Sequence, residues 1–577
     1  MFAVGDRFKL FKGEAMLTQS YAHGASTKPL LGETLGVNFD LAAEKWGERD
    51  ALIVRHQNIR WTYNDLKNEV DAFAAGLIAL GLEPGDRIGI WSPNNSEWVV
   101  TQYATAKAGL ILVNINPAYR VSELEYALNK VTCKALILAT QFKSSDYMGM
   151  LKELAPEISF CEPGSLKSER LPNLQTVIKI GQSTERGFID FREVAGKASK
   201  KDKDRIKDLV TTLQFDDPIN IQFTSGTTGF PKGATLTHFN VLNNGYFTGE
   251  SLKFTSVDRL CVPVPLYHCF GMVLSNIAAL THGAALIYPD EAFDPLSVLE
   301  AVQEEKCTGL HGVPTMFIAE LEHPRFKEFD LSSLRTGIMA GSPCPIEIMR
   351  RVVDEMYCSE MIIAYGMTET SPVITSSETD DPIEKQVSTV GRIFPHVEVK
   401  IIDENGRIVV PGQTGELLAR GYNVMQGYWD DLEKTEESID EAGWMHTGDL
   451  ATMDPDGFFN IVGRVKDMVI RGGENIYPRE IEEYLYRHPS ISDVQVFGVP
   501  DVKFVEELCA WIILKPDTSC SEEEVREFCR GQIAHYKIPR YIRFVEEYPM
   551  TITGKVQKFA MRDKMVEELD LNKAKTA

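Results

Sequence analysis

Thr224-Ser225-Gly226-Thr227-Thr228-Gly229-Phe230-Pro231-Lys232-Gly233 is the stretch on which the reading of this chain turns. It follows an apolar strand pattern and precedes a helical one. Its glycines and small hydroxyl residues let backbone N–H groups and side-chain hydroxyls come close to phosphate oxygens. Lys232 adds a cation for the β- and γ-phosphates. The spacing is not that of a Walker A loop, which needs four residues between its glycines and a closing Gly-Lys-Ser/Thr. A Gly/Ser/Thr surface turn is the ordinary rival reading, and ten ordered residues of this type weigh against it.

The flanking sequence alternates in the manner of layered α/β folds. Leu66, Val70, Phe73, Leu77 and Leu80 recur at steps of four and three, one face of an amphipathic helix. Pro84-Gly85-Asp86 turns the chain, and residues 87–91 read as a short strand. A helix over 98–108 and an apolar strand over 110–115 follow. Lys197 to Asp208 is a dense run of charge and reads as a solvated surface segment. After Gly463 the character changes: GRVKDMVIRGGEN leads into a compact acidic region with strand patterns near 494–499 and 510–514. The expected division is an N-terminal domain over 1–462, a hinge over 463–467, and a mobile α+β domain over 468–577.

Composition narrows the function. A chain of 577 residues exceeds one ordinary core. A formal net charge of -23 argues against nucleic acid as a partner, since a phosphate-binding surface needs a basic face. Ten cysteines without a CxxC pair read as reduced thiols, not a disulfide framework. Asp6 and Glu14 interrupt the N-terminal stretch, making it a poor secretory signal and an indecisive mitochondrial one. Residues 260–289 carry no Asp, Glu, Lys or Arg, which invites a membrane-spanning reading. Pro263, Pro265, His268, Gly271 and Asn276 interrupt that stretch, so it reads as a buried segment beside an apolar pocket, with no transmembrane span.

Further motifs follow in order. They are Tyr365-Gly366-Met367-Thr368-Glu369, His446-Thr447-Gly448-Asp449, Gly463-Arg464 with Lys466-Asp467, and Pro549 to Lys555 (PMTITGK). Together with the Thr224–Gly233 stretch they resemble the motif series of the adenylate-forming enzymes: acyl-CoA synthetases, aryl-CoA ligases, luciferases and the adenylation domains of peptide synthetases. That resemblance implies layered α/β subdomains with a small β-rich part, then the mobile α+β domain. It also implies site roles. Thr224, Ser225, Gly226, Thr227, Thr228, Gly229 and Lys232 would hold ATP phosphates. Tyr365, Gly366, Met367 and Thr368, with Gly341-Ser342-Pro343, would run along adenine. Glu369 would hold Mg²⁺, a hard cation that takes carboxylate and phosphate oxygens together. Asp449 would accept from the ribose hydroxyls, with Arg464 reinforcing it. Lys555 would bridge the substrate carboxylate and the α-phosphate, where a charge placed for the transition state acts. Rotation about Lys466 would then exchange Lys555 for the face carrying Arg471, Gly472 and Gly473, beside the pantetheine arm of coenzyme A.

The acid is read from Pro265 to Gly271 (PLYHCFG), which resembles the segment lining the acyl site of acyl-CoA synthetases. Tyr267-His268 offers no counter-charge for an amino-acid ammonium, whose unpaired burial is costly. His268 is a catalytic candidate, with a satisfied core histidine as its rival. Gly366 stands where acetate-specific relatives carry a tryptophan, which is read as leaving room for a longer tail. Phe270, Val313, Met316, Met339 and Val373 are candidate walls. MAGSPCP and GGENIYPREIEEYL resemble the medium-chain branch of the acyl-CoA synthetases, mitochondrial in animals, whereas the acidity alone sits equally with cytoplasm. The substrates implied are a small carboxylic acid, ATP and coenzyme A. One departure stands out: Val505 replaces a glycine usual in the family, a strained choice if that position needs positive φ.

Overall fold

The computed structural model describes residues 18–181, 185–224, 231–342, 344–464, 467–471, 474–501, 503–530, 532–550 and 556–571. Two large sheets dominate. An eight-stranded sheet runs through Thr176–Ile180, Ala135–Ala139, Arg87–Trp91, Ile111–Asn114 and Pro218–Thr224 in parallel. It ends on two antiparallel strands, Lys232–Thr237 and Gly427–Tyr428. A nine-stranded sheet has Arg259–Cys261, Gly309–Gly312, Thr336–Ala340 and Glu360–Gly366 in parallel, with Val373–Ser376 antiparallel beside them. A five-stranded antiparallel sheet includes Met445–Met453 and Phe459–Arg464. The strands from Val469 onward pair only with one another among the described residues.

Side-chain alternation along the strands decides what each sheet face meets. Ile88, Ile90 and Leu112 of one large sheet, with Leu260, Leu286 and Ile338 of the other, share one core. The intervening residues, Trp91, Val113 and Leu138 on one sheet and Cys261, Leu310 and Met339 on the other, enter separate outer cores. The shared layer holds the helices Tyr63–Ala79 and Ser96–Ala108. In the first, Leu66, Val70, Phe73 and Leu77 are fully buried, as their spacing predicts. Each such burial is worth about 1.5–3 kcal/mol. A reciprocal capping box between Thr62 and Asp65 starts this helix. The uncharged stretch is also interior: Phe270–Ile277 forms a buried π-helical segment in the same layer. No helix among the described residues is long and apolar enough to cross a membrane.

One expectation is corrected and two are sharpened. The Thr224–Gly233 stretch connects two antiparallel strands, with Thr224 opposite Lys232, and the helix His238–Ser251 begins only after the second strand. The second strand is six residues of small and apolar character, too short for periodicity to separate it from a helical start. The charged run is a surface segment as expected, in the form of a mostly exposed helix, Lys200–Leu209, capped by Ser199 and Asp202 and anchored by Ile206 and Leu209. Val505 opens the strand Val505–Leu514 and pairs with Arg471 and Asp501, an extended backbone that asks for no positive φ.

Candidate active site

Ser225, Gly226, Thr227, Thr228 and Gly229 lie outside the described residues, but both anchors of their loop are inside. Thr224 Oγ1 donates to the Lys232 carbonyl at 3.4 Å across the strand pair. The Lys232 ammonium stands 4.0 Å from the ring centroid of Tyr428. The Tyr428 hydroxyl donates to Glu369 Oε1 at 2.9 Å, and the Glu369 carbonyl accepts from Met425 N at 2.9 Å. Lys232, the candidate phosphate cation, and Glu369, the candidate metal carboxylate, are therefore joined through one tyrosine that sequence reasoning missed. Nothing in Gly427-Tyr428-Trp429 signals this locally, because only the pairing of Ala234 with Tyr428 brings it beside Lys232.

The residues present fit Mg²⁺. Glu369 is only 6% exposed, and its Oε1 accepts from Tyr428. No cluster of three or more His, Cys, Asp or Glu that could hold a metal exists among the described residues. One carboxylate together with nucleotide phosphates suits Mg²⁺, which is seldom held by an all-protein cage.

The candidate nucleoside residues lie where the nine-stranded sheet meets the antiparallel one. The Tyr365 hydroxyl donates to Asp449 Oδ2 at 2.7 Å, and Arg464 Nε lies 3.1 Å from Asp449 Oδ1. Asp449 and Arg464 are direct partners on neighbouring strands. Burial, then the Asp449 charge, pushes the Tyr365 phenol well above its usual range, so it remains a donor. Glu416 braces the irregular stretch His446–Gly448 of the strand Met445–Met453 through His446 Nδ1 at 3.1 Å and Gly448 N at 3.2 Å. Gly341 ends the strand Thr336–Ala340 with φ +90, a backbone that glycine adopts without strain. Ser342 beside it is half-buried, and Pro343 lies outside the described residues. Met367 N donates to the Pro372 carbonyl at 3.0 Å, closing the turn that carries Thr368 and Glu369.

The candidate acyl segment, residues 265–271, is pinned by buried amides. Asn94 Oδ1 accepts from Leu266 N at 2.9 Å, and Asn114 Nδ2 donates to the Tyr267 carbonyl at 2.8 Å. His268 Nδ1 accepts from Phe270 N at 3.1 Å, which places any single ring proton on Nε2. Cys269 Sγ lies 4.0 Å from Thr368 Oγ1, joining this segment to the Tyr365–Glu369 motif. Burial pushes the Cys269 thiol up to about 12, so it is no nucleophile. Phe270 and Val373 belong to the layer between the large sheets, and Val313 and Met316 pack against it. Met339 does not join them. It faces the outer core, and its neighbours Ile338 and Ala340 take the inner face instead. Gly366 also has a backbone reason: a Cβ there would lie 1.8 Å from the Pro372 carbonyl oxygen.

In the C-terminal region, Arg471 makes a forked contact with Glu507 at 2.5 and 3.0 Å and lies 4.3 Å from the Phe504 ring centroid. Lys466, Gly472, Gly473 and Lys555 lie outside the described residues.

The contacts form two groups, Lys232–Tyr428–Glu369 and Tyr365–Asp449–Arg464, joined by the chain between Tyr365 and Glu369. A family model described as "AMP-binding enzyme" matches residues 39–429. The chain belongs to the AMP-binding enzyme family. The model "AMP-binding enzyme C-terminal domain" matches residues 480–555 of the same AMP-binding enzyme. It is 48% identical over 558 residues to "Medium-chain acyl-CoA ligase ACSF2, mitochondrial" of Danio rerio, covering 96% of this chain and 92% of that protein. It is 48% identical over 544 residues to "Putative acyl-CoA synthetase YngI" of Bacillus subtilis, covering 94% and 99%. Among solved structures, the anthranilate CoA ligase AuaEII with anthranoyl-AMP superposes with a TM-score of 0.80 at 26% identity, covering 93% of this chain and 98% of that one.

Proposed function

We propose that this enzyme is an ATP-dependent acyl-CoA synthetase acting on medium-chain fatty acids. A carboxylate oxygen attacks the α-phosphorus, the bond to pyrophosphate breaks, and acyl-adenylate forms. The coenzyme A thiolate then attacks the acyl carbonyl, and AMP leaves. The observation that carries this reading is the pair of contact groups Lys232–Tyr428–Glu369 and Tyr365–Asp449–Arg464, which the short stretch from Tyr365 to Glu369 joins.

Within this reading each group has a task. Lys232 offsets charge on the β- and γ-phosphates. Glu369 would hold Mg²⁺, which supplies further charge neutralisation at the leaving pyrophosphate when bound. Asp449 accepts from the ribose, held in aim by Tyr365 and Arg464. Phe270, Val373, Val313 and Met316 offer apolar surface to the tail, where each buried CH₂ is worth about 0.8 kcal/mol. Lys555 would act in adenylate formation, and rotation at Lys466 between domains 1–462 and 468–577 would admit coenzyme A. The vertebrate relative's name supports a mitochondrial location, which fractionation of the source cells would test.

The test is AMP and acyl-CoA formation from MgATP, coenzyme A and straight-chain acids from acetate to palmitate, with benzoate and cinnamate alongside. A maximum at medium chain is expected. A maximum on the aromatic acids would overturn the substrate assignment, and pyrophosphate release without thioester would overturn the acceptor. Lys555→Ala should abolish pyrophosphate release yet spare thioester formation from supplied acyl-adenylate.

A further inference from the structure

We propose that Tyr428 is a positioning residue for the phosphate end of the nucleotide, its hydroxyl orienting the Glu369 carboxylate and its ring seating the Lys232 ammonium. The inference rests on the adenylate-forming reading above.

The backbone of Tyr428 is fixed from both sides. Trp429 N donates to the Gly233 carbonyl at 2.7 Å and Gln426 N to the Thr235 carbonyl at 3.0 Å, so the short strand rides on the one that carries Lys232. Tyr428 N donates to Thr435 Oγ1 at 2.9 Å, and Thr435 Oγ1 in turn donates to the Asp431 carbonyl at 2.8 Å. The side chain is buried at 6% exposure. The hydroxyl donates to Glu369 Oε1 at 2.9 Å.

What this fixes is the geometry of two opposite charges. A lysine ammonium ends a flexible four-carbon stem and carries no directional fork of its own. A ring face 4.0 Å away gives it a preferred seat. Glu369 Oε1 is tethered by the phenol, and no hydrogen bond is made to Oε2 among the described residues. The tether therefore sets where the second oxygen points. Both tasks fall to one side chain through different atoms, so they separate on substitution.

The experiment uses the full chain and the variants Tyr428→Phe and Tyr428→Leu. ATP binding is measured by calorimetry with and without Mg²⁺, and acid-dependent ATP–pyrophosphate exchange is measured across a Mg²⁺ titration. Tyr428→Phe keeps the ring. It should raise the Mg²⁺ concentration for half-maximal exchange about tenfold, as for a lost hydrogen bond to a charged group, with Mg²⁺-free ATP affinity unchanged. Tyr428→Leu should show the same Mg²⁺ shift and also weaken Mg²⁺-free ATP binding. Wild-type Mg²⁺ dependence in Tyr428→Phe would overturn the carboxylate role. Equal Mg²⁺-free affinity in the two variants would overturn the lysine role. A uniform loss in both half-reactions with unmoved Mg²⁺ dependence would mark Tyr428 as structural only and overturn both. If the wild-type chain gave no exchange with any acid, the activity reading would fall, and the calorimetric Mg²⁺ dependence would still decide the role of Tyr428.

Discussion

Replacing Asp449 by Asn tests the nucleoside end most sharply. The exchange keeps size and shape but removes the charge that Tyr365 Oη and Arg464 Nε address at 2.7 and 3.1 Å. The amide has one acceptor oxygen, and the buried Tyr365 hydroxyl competes for it. The ribose hydroxyls then lose a charged acceptor, and a hydrogen bond to a charged group is worth about 1.5–3 kcal/mol. ATP affinity should therefore fall roughly 10- to 150-fold, at about 1.4 kcal/mol per decade. The assay is calorimetric binding of ATP and of 2′,3′-dideoxy-ATP to both proteins. The wild type should discriminate strongly between them, and Asp449→Asn should bind them nearly alike. Equal losses for the two nucleotides in the variant would refute the assignment, because the carboxylate would then support the fold without touching the sugar. Tyr365→Phe is the companion: it removes a donor to Asp449 but leaves the charge, so the discrimination should survive.

Gly366→Ala should lower stability by about 3 kcal/mol in urea unfolding, since its Cβ meets the Pro372 carbonyl oxygen at 1.8 Å and backbone must move. Unaltered stability would show the space there to be open. Val373→Phe should shift the preferred acid toward shorter chains, while Met339→Leu, on the opposite face of its sheet, should leave the chain-length profile unchanged. His238 and His311 are held neutral, burial pushing each to about 3 from the usual 6.5. Between those values the unfolded chain binds protons that the folded chain does not. Stability therefore falls as pH drops below 6.5, by about 1.4 kcal/mol per pH unit for each histidine. His238→Gln, which keeps an acceptor for Leu35 N, should flatten the slope of urea stability between pH 4.5 and 6.5 by that amount, and an unchanged slope would remove His238 from the account.

The sequence was most legible where one periodicity ruled. The steps Leu66, Val70, Phe73, Leu77 mark a helix because a single face is buried, and all four side chains are interior. The motif residues Tyr365 and Asp449 were legible as types, but not their bond, which depends on how two sheets meet. Met339 was misplaced because the strand Thr336–Ala340 is buried on both faces, so hydrophobicity does not say which face a residue takes. Gly366 was read for the room a missing side chain leaves, whereas the approach of Pro372 is a long-range backbone fact. Tyr428 was invisible for the same reason: its partners lie 59 and 196 positions away, and only the packing of distant segments unites them.

The opposition of Thr224 and Lys232 across an antiparallel ladder has a consequence for chain entropy. The sheet fixes both ends of the loop, so the lysine keeps its station whatever the residues between them do. Doubling such a loop would cost only about 0.6 kcal/mol of closure entropy. A change in its length is therefore thermodynamically mild, whereas a slip of one residue in either flanking strand would turn Lys232 to the opposite face. Loop exchange between relatives should thus be tolerated at this position far better than strand exchange.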